Sequence, residues 1–281
     1  MRGASKLIRS GMVITSCAFL FLFLLAPLAT ILREAFCKGL EAYWASITDP
    51  AALSAFRLTV ATAAMAVLFN TAFGLAAAWA LAYFRFPGKS VLLTLMDVPF
   101  AASPVVSGLM WILLFGAEGW LGPWLRAKGV EVLFAQPGIL LATVFVSFPY
   151  VARELMALME KQGCEEETAA VVLGAGGWQI FRRVTLPKVR WALFYGVVLC
   201  NARAMGEFGA VSMVSGHIRG RTNTLPLHIE ILYNEYNFGA AFAVASLFMA
   251  LALVTLAAKS ALERRLLRGG RSNEVAAGVH G

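Results

Sequence analysis

Residues 12–32, MVITSCAFLFLFLLAPLATIL, hold no acid and no base. A run of this kind matches the ~20 apolar residues that a helix needs to cross a bilayer. Further apolar runs follow at 58–83, 91–115, 139–159, 191–215 and 239–258. In hydrocarbon a backbone must satisfy its own hydrogen bonds, so each run is expected to be helical. The expectation is an all-α integral membrane protein with six transmembrane helices. Composition agrees: 59% of the 281 residues are hydrophobic and 14% are charged. A soluble domain carries about 25% charged residues. The basic stretch Arg2, Lys6 and Arg9 ahead of the first run has the look of a secretory signal. The run is too long for one and lacks a small-x-small cleavage site, so it reads as a membrane anchor.

The net charge of +8 does not indicate nucleic acid, because the basic residues are not clustered. They lie between the apolar runs, and placing both termini in the cytoplasm puts 16 Lys and Arg inside and 7 outside, with Arg203 left within a span. This bias predicts a multi-pass protein with both ends inside. Three regions follow: an N-terminal segment with the first span and an outer segment (1–57), the transmembrane domain (58–260) and a basic tail (261–281). Cys17, Cys37, Cys164 and Cys200 are scattered singly and are expected to be free thiols. With His217, His228 and His280 also apart, no metal site and no catalytic group is indicated.

Several polar residues fall inside the runs. Asn70, next to Gly74 in an Ala-rich span, reads as an interhelical hydrogen bond in a tightly packed helix. Asp97 shares the third run with Pro99 and Pro104, which suggests a kinked helix. Asp97 then has two readings: a gate or pathway wall, or an acid near the cytoplasmic interface. Arg203 and Glu207 are four residues apart on one helix face and are expected to pair. A structural salt bridge is favoured over a direct role in anion passage. Residues 217–238 read as an outer loop in which Arg219 and Arg221 face solvent, an anion or a partner.

The longest polar interruption is EEETAAVVLGAGGWQIFRRVTLPKVR, residues 165–190. Its pattern predicts a short helix over 165–173, reversed at Gly174 where positive φ suits glycine. A second piece over 178–184 follows, and Pro187 marks the next boundary. Three acids in the first turn suit the helix dipole. Val171, Val172, Leu173, Trp178 and Phe181 are left available for packing.

This loop resembles the cytoplasmic loop of permease subunits of ABC importers, whose signature is Glu-Ala-Ala, three residues, Gly, nine residues, Ile, one residue, Leu-Pro. The matching positions are Thr168, Ala169, Ala170, Gly174, Val184, Leu186 and Pro187. Thr168 stands where the family has Glu and Val184 where it has Ile. Glu166 and Glu167 precede the motif, and Glu167 substitutes for the family's Glu only with a turn of about 100° around the helix. The resemblance implies a type I importer permease fold whose loop is a coupling helix docking on a separate ATPase.

The run NARAMGEFGAVSMVSGHIRGRTNTLPLHIEILYNEYNF, residues 201–238, is similar to the sulfate/thiosulfate importer permeases, W-type subunit. Molybdate permeases share the elements at 206–210 and 221–226, so molybdate or tungstate is the alternative substrate. The resemblance implies a second permease subunit in a heterodimer, two ATP-binding subunits, an external sulfate-binding protein and surrounding lipid. ATP and Mg would be used by the partner ATPase. This chain carries no Gly-x-x-x-x-Gly-Lys-Ser/Thr loop and is expected to bind no cofactor and to be no enzyme by itself. A proton-coupled anion carrier is a remoter alternative, with Asp97 and Glu207 as proton carriers.

Overall fold

The computed structural model describes the backbone of residues 2–277 and the side chains of residues 8–261. The tail bases Arg264, Arg265, Arg268 and Arg271, with Arg2 and Lys6, lie outside the described side chains. The first span is α1 (Arg2–Leu20), a π turn (Phe21–Leu25) and α2 (Ala26–Phe36). The wide turn falls just ahead of Pro27, which has no N–H to donate and whose ring crowds the carbonyl four residues back.

The segment after α2 is more ordered than an outer surface strip. It forms α3 (Leu40–Thr48), and α4 (Pro50–Tyr83) begins eight residues before the apolar run at 58. The reason is a cap: the Asp49 carboxylate accepts from the Ala51 and Ala52 amides at 2.8 and 3.3 Å, with Pro50 in the first turn. Pro fits there because that N–H has no helical partner.

The third run is not one kinked helix. It is α5 (Lys89–Ala101) and α6 (Pro104–Phe115), set at 113° to each other. Ala102 and Ser103 are both extended, as the residue before a proline prefers, and Pro104 cannot donate backward. After the short α7 (Gly122–Ala127), α8 (Gln136–Gln162) runs through the bundle with Pro149 inside it. Met96 packs in the cluster with Met156 and Met159, Phe100 meets Tyr150, and Trp111 meets Phe145. The broken pair therefore ascends α8 from its C-terminal to its N-terminal half.

α9 (Glu165–Val172) and α10 (Gly177–Ile180) make the polar loop, and a π turn (Phe181–Thr185) leads into α11 (Leu186–Met205). The expected fifth span also breaks: α11 ends at Met205 and α12 (Gly209–Val214) follows a three-residue turn. The outer loop at 217–238 contains a helix, α13 (Leu225–Asn234), and α14 (Phe238–Ala277) closes the fold. Among the described residues four helices are long and apolar enough to span, or five with the bent pair counted as one. α11 is long enough, but Lys188, Arg190 and Arg203 deny it an apolar stretch of that length.

The core is the seam of α4, α8 and α11. A Cβ on Gly74 would lie 3.1 Å from Val151 Cβ, and one on Gly196 would lie 3.2 Å from Val151 Cα. Asn70 stitches the same seam, donating to the Val144 carbonyl (3.2 Å), Ser147 Oγ (2.8 Å) and Cys200 Sγ (3.4 Å). The four cysteines are free, Cys200 buried and the others exposed.

α13 seals the far end. Its first amide, Leu225 N–H, donates to Thr59 Oγ1 of α4 at 2.7 Å, and Leu225, Leu227 and His228 are buried. Burial pushes the His228 imidazole below its ordinary value, helped by Arg219 and opposed by Asp49 and Glu235. The folded form therefore holds a proton on His228 less readily than the unfolded chain, which takes one near pH 6.5. Stability is lost as pH falls through that value and levels off only below the depressed folded value, by up to about 1.4 kcal/mol per pH unit. Thermal unfolding in detergent should show Tm falling between pH 7.5 and 5.5, with a flatter profile for His228→Gln.

Candidate functional site

The 165–190 loop caps one end of the bundle, with Glu167, Thr185 and Val189 buried and most of the rest exposed. α9 carries Glu165, Glu166 and Glu167 in its first turn, and Thr168 Oγ1 donates to the Cys164 carbonyl at 2.7 Å. The helix ends where Gly174 takes φ +83°, with the Ala175 amide returning to the Ala170 carbonyl at 3.0 Å. That closure needs the left-handed conformation glycine adopts freely. The Gly176 amide then donates to Gln179 Oε1 at 3.1 Å and starts α10. Pro187 accounts for the π turn: the Leu186 amide reaches the Phe181 carbonyl, five residues back, where an α-helix with Pro187 in it would leave a gap.

The apolar residues expected to pack divide into two sets. Phe181 lies against Trp79 of α4 and against Trp178. Val171, Val172, Leu173 and Trp178 are 60, 82, 87 and 72% exposed and crown the loop, although Trp178 stacks on Phe181 and Val171 borders a cavity against α4. Glu166 and Thr168 are exposed beside them, Ala169 likewise, and Ala170 is half-buried. Val184 and Leu186 are half-buried and Pro187 is exposed at the loop's far edge.

Glu167 points the other way. It is buried under α9, where its Oε1 accepts from Tyr83 Oη and Thr185 Oγ1, both at 3.2 Å. Its Oε2 lies 3.4 Å from Lys188 Nζ, which also reaches the Gly163 carbonyl at 3.3 Å. Glu166 is 3.8 Å from the same ammonium and mostly exposed. The sequence reading had no means of finding Tyr83, because 84 positions separate it from Glu167.

Two charge pairs join the helices of the bundle. Arg153 of α8 makes a two-point pair with Asp97 of α5, Nε–Oδ1 being 2.8 Å. Arg153 was the partner not foreseen. Both side chains are about two-fifths exposed on the isolated chain. Arg203 Nη1 lies 2.6 Å from Glu207 Oε2, while Glu207 Oε1 accepts the Ala210 amide at 2.9 Å. Glu207 thereby caps α12 at the break. Pro104 begins α6 and abuts Gly209, where a Cβ would lie 2.8 Å from Pro104 Cβ. Arg219, by contrast, pairs with Glu235. A cavity of about 440 Å³ beside α5, lined by Met96, Pro99, Trp111, Phe145 and Phe148, offers a dianion no counter-charge. Among the described residues no group of three or more His, Cys, Asp or Glu could hold a metal ion.

These features define a helical membrane protein with a polar helix–turn–helix pinned to one end of its bundle. The chain belongs to the binding-protein-dependent transport system inner membrane component family, whose profile matches residues 70–268. It is 51% identical over 260 residues to the sulfate transport system permease protein CysW of Escherichia coli K12, covering 92% of this chain and 88% of that one. Identity to the CysT permease protein of the same strain is 39%, covering 90% and 92%. To the chloroplastic sulfate permease 2 of Chlamydomonas reinhardtii it is 48%, covering 91% and 69%. The fold matches a chain of a bacterial ABC transporter involved in alginate import, with a TM-score of 0.79 at 16% identity over 94% of this chain and 99% of that one.

Removing one member of the Asp97–Arg153 pair strands the other charge, at a cost of about 1–3 kcal/mol for a partly exposed pair. Asp97→Asn should lower the Tm of the purified protein, and adding Arg153→Gln should recover most of the loss. Equal Tm for the single and double variants would show that the two charges are not coupled.

Proposed function

We propose that this chain is the membrane permease subunit of an ATP-driven importer of sulfate and thiosulfate, working by alternating access. The observation that carries the coupling part is the exposed apolar crown on a loop whose backbone is fixed by Gly174 and whose base is pinned at Glu167. Several strongly exposed apolar side chains gathered in one polar loop suit a protein contact. The partner it suits is a separate ATPase subunit, with Glu166, Thr168, Ala169, Ala170 and Gly174 on or beside the docking face and Val184, Leu186 and Pro187 at its margin. ATP and Mg belong to that subunit, and this chain binds no cofactor.

The substrate assignment is supported by the relatives, which are sulfate permeases with identities from 39 to 51%. Escherichia coli has both a CysW and a CysT protein, and this chain is nearer the first. A heterodimer with a second permease therefore fits, with two ATPase subunits and an external sulfate-binding protein. One solved structural neighbour is an alginate transporter in complex with a ligand-bound periplasmic protein. In this reading the chain lies in the inner membrane with both termini in the cytoplasm, and the loop is on the side where ATP is. Asp97 and Arg153 line the path or its walls at the loop end. Arg203 and Glu207 fix the break at the other end, where Pro104 also lies.

Uptake of labelled sulfate by cells lacking the gene tests the substrate. Uptake should be lost, should return with the wild-type gene, and should be only weakly inhibited by excess molybdate. Intact sulfate uptake with failed molybdate accumulation would keep the architecture and replace the substrate. For docking, Val172→Glu with Leu173→Glu should cut co-purification of the ATPase at least ten-fold while leaving membrane insertion unchanged. Undiminished co-purification would remove the apolar crown from the interface.

A further inference from the structure

α9 is attached to the rest of the protein in an unusual way. Of its eight residues, the one that is buried is a carboxylate, Glu167. No apolar side chain of α9 is buried, and a cavity of about 460 Å³ opens between it and Trp79, Tyr83 and Phe84. Beyond the short links at its ends, what holds α9 against the bundle is therefore the hydrogen bonding of Glu167. Its donors come from separate elements: Tyr83 ends α4, Thr185 lies in the π turn, and Lys188 is in the first turn of α11. Lys188 also holds the Gly163 carbonyl, which follows α8. One carboxylate thus gathers the loop-side ends of the three helices that form the core seam.

We propose that Glu167 is a positioning residue that transmits displacement of α9 to α4, α8 and α11 as one unit. The inference rests on the docking reading above for what displaces α9, though the lock itself does not. An apolar contact would let α9 slide, since dispersion contacts are non-directional. A buried carboxylate with three charged or hydroxyl donors resists sliding, because any shift leaves polar groups unpaired. Glu167 is accordingly not part of the surface that meets the ATPase. It acts on transport through Tyr83, Thr185 and Lys188.

The first test needs neither substrate nor partner. In the full-length chain in lipid nanodiscs, Glu167→Gln should raise amide hydrogen exchange of residues 165–172 at least ten-fold and leave α8 near Val151 unchanged. Tyr83→Phe and Thr185→Val, each removing one donor, should raise it two- to three-fold. Unchanged exchange at α9 in all three variants would overturn the lock. So would equal acceleration in α8, which would make Glu167 a general folding residue.

The second test uses the complete importer reconstituted with both permeases, the ATPases and the binding protein. With Glu167→Gln, ATP hydrolysed per sulfate imported should rise at least five-fold while ATPase co-purification stays within two-fold of wild type. A residue with a merely structural role would lower both rates together and leave the ratio unchanged, and that result would overturn the transmission role. A wild-type importer that moves no sulfate would instead sink the substrate assignment. The exchange result would still decide the lock.

Discussion

Val151 sits where three helices meet, and the missing side chains at Gly74 and Gly196 are what let them meet there. In lipid no hydrophobic force draws helices together, so cohesion comes from close packing and interhelical hydrogen bonds. The α4–α8–α11 seam uses both, with glycine on two sides of Val151 and Asn70 donating to both neighbours. Everything of interest hangs from the ends of these rods. At one end the Glu167 cluster gathers Tyr83 and Lys188. At the other α11 gives way to α12, and Thr59 of α4 receives the first amide of α13.

The two broken spans solve one problem together. A helix interrupted inside a bilayer exposes backbone groups that lipid cannot satisfy, so breaks must be buried in protein or wet. Here the breaks lie against each other. A Cβ on Gly108 would lie 2.6 Å from Met213 Cβ, and Gly209 stands under Pro104. Glu207 supplies the acceptor that the first amides of α12 lack, and Arg203 neutralises it. The prolines and glycines that weaken these spans are thus also what allow α6 and α12 to come close.

The sequence exposed the parts of this architecture that are local. Apolar length marked the spans at α4, α8 and α14, the dipeptides around Gly174 and Pro187 marked the turns of the loop, and i,i+4 spacing brought Arg203 to Glu207. Asp49-Pro50 carried a cap signal that the apolar pattern overshadowed, which is why α4 starts earlier than its hydrophobic run. Long-range partners left no local trace. Arg153 meets Asp97 only because α5 ascends α8, and Glu167 turns inward only because Tyr83 and Lys188 wait beneath it. The third run was harder still, since two prolines are compatible with a kink or with a full break. The extended pair Ala102–Ser103 decides between them. α13 escaped notice because ten residues flanked by polar loop sequence carry too short a periodic signal.

The crown formed by Val172, Leu173 and Trp178 also bears on the life of the chain before assembly. A copy without partners holds out to water a greasy knob on a stiff stalk, the kind of surface that chaperones bind and that proteases use to recognise orphans. In this conformation, with the turn at Gly174 and Glu167 bonded beneath α9, none of these three side chains is buried. An unassembled copy therefore carries a standing aggregation liability at this loop, which only a covering surface removes.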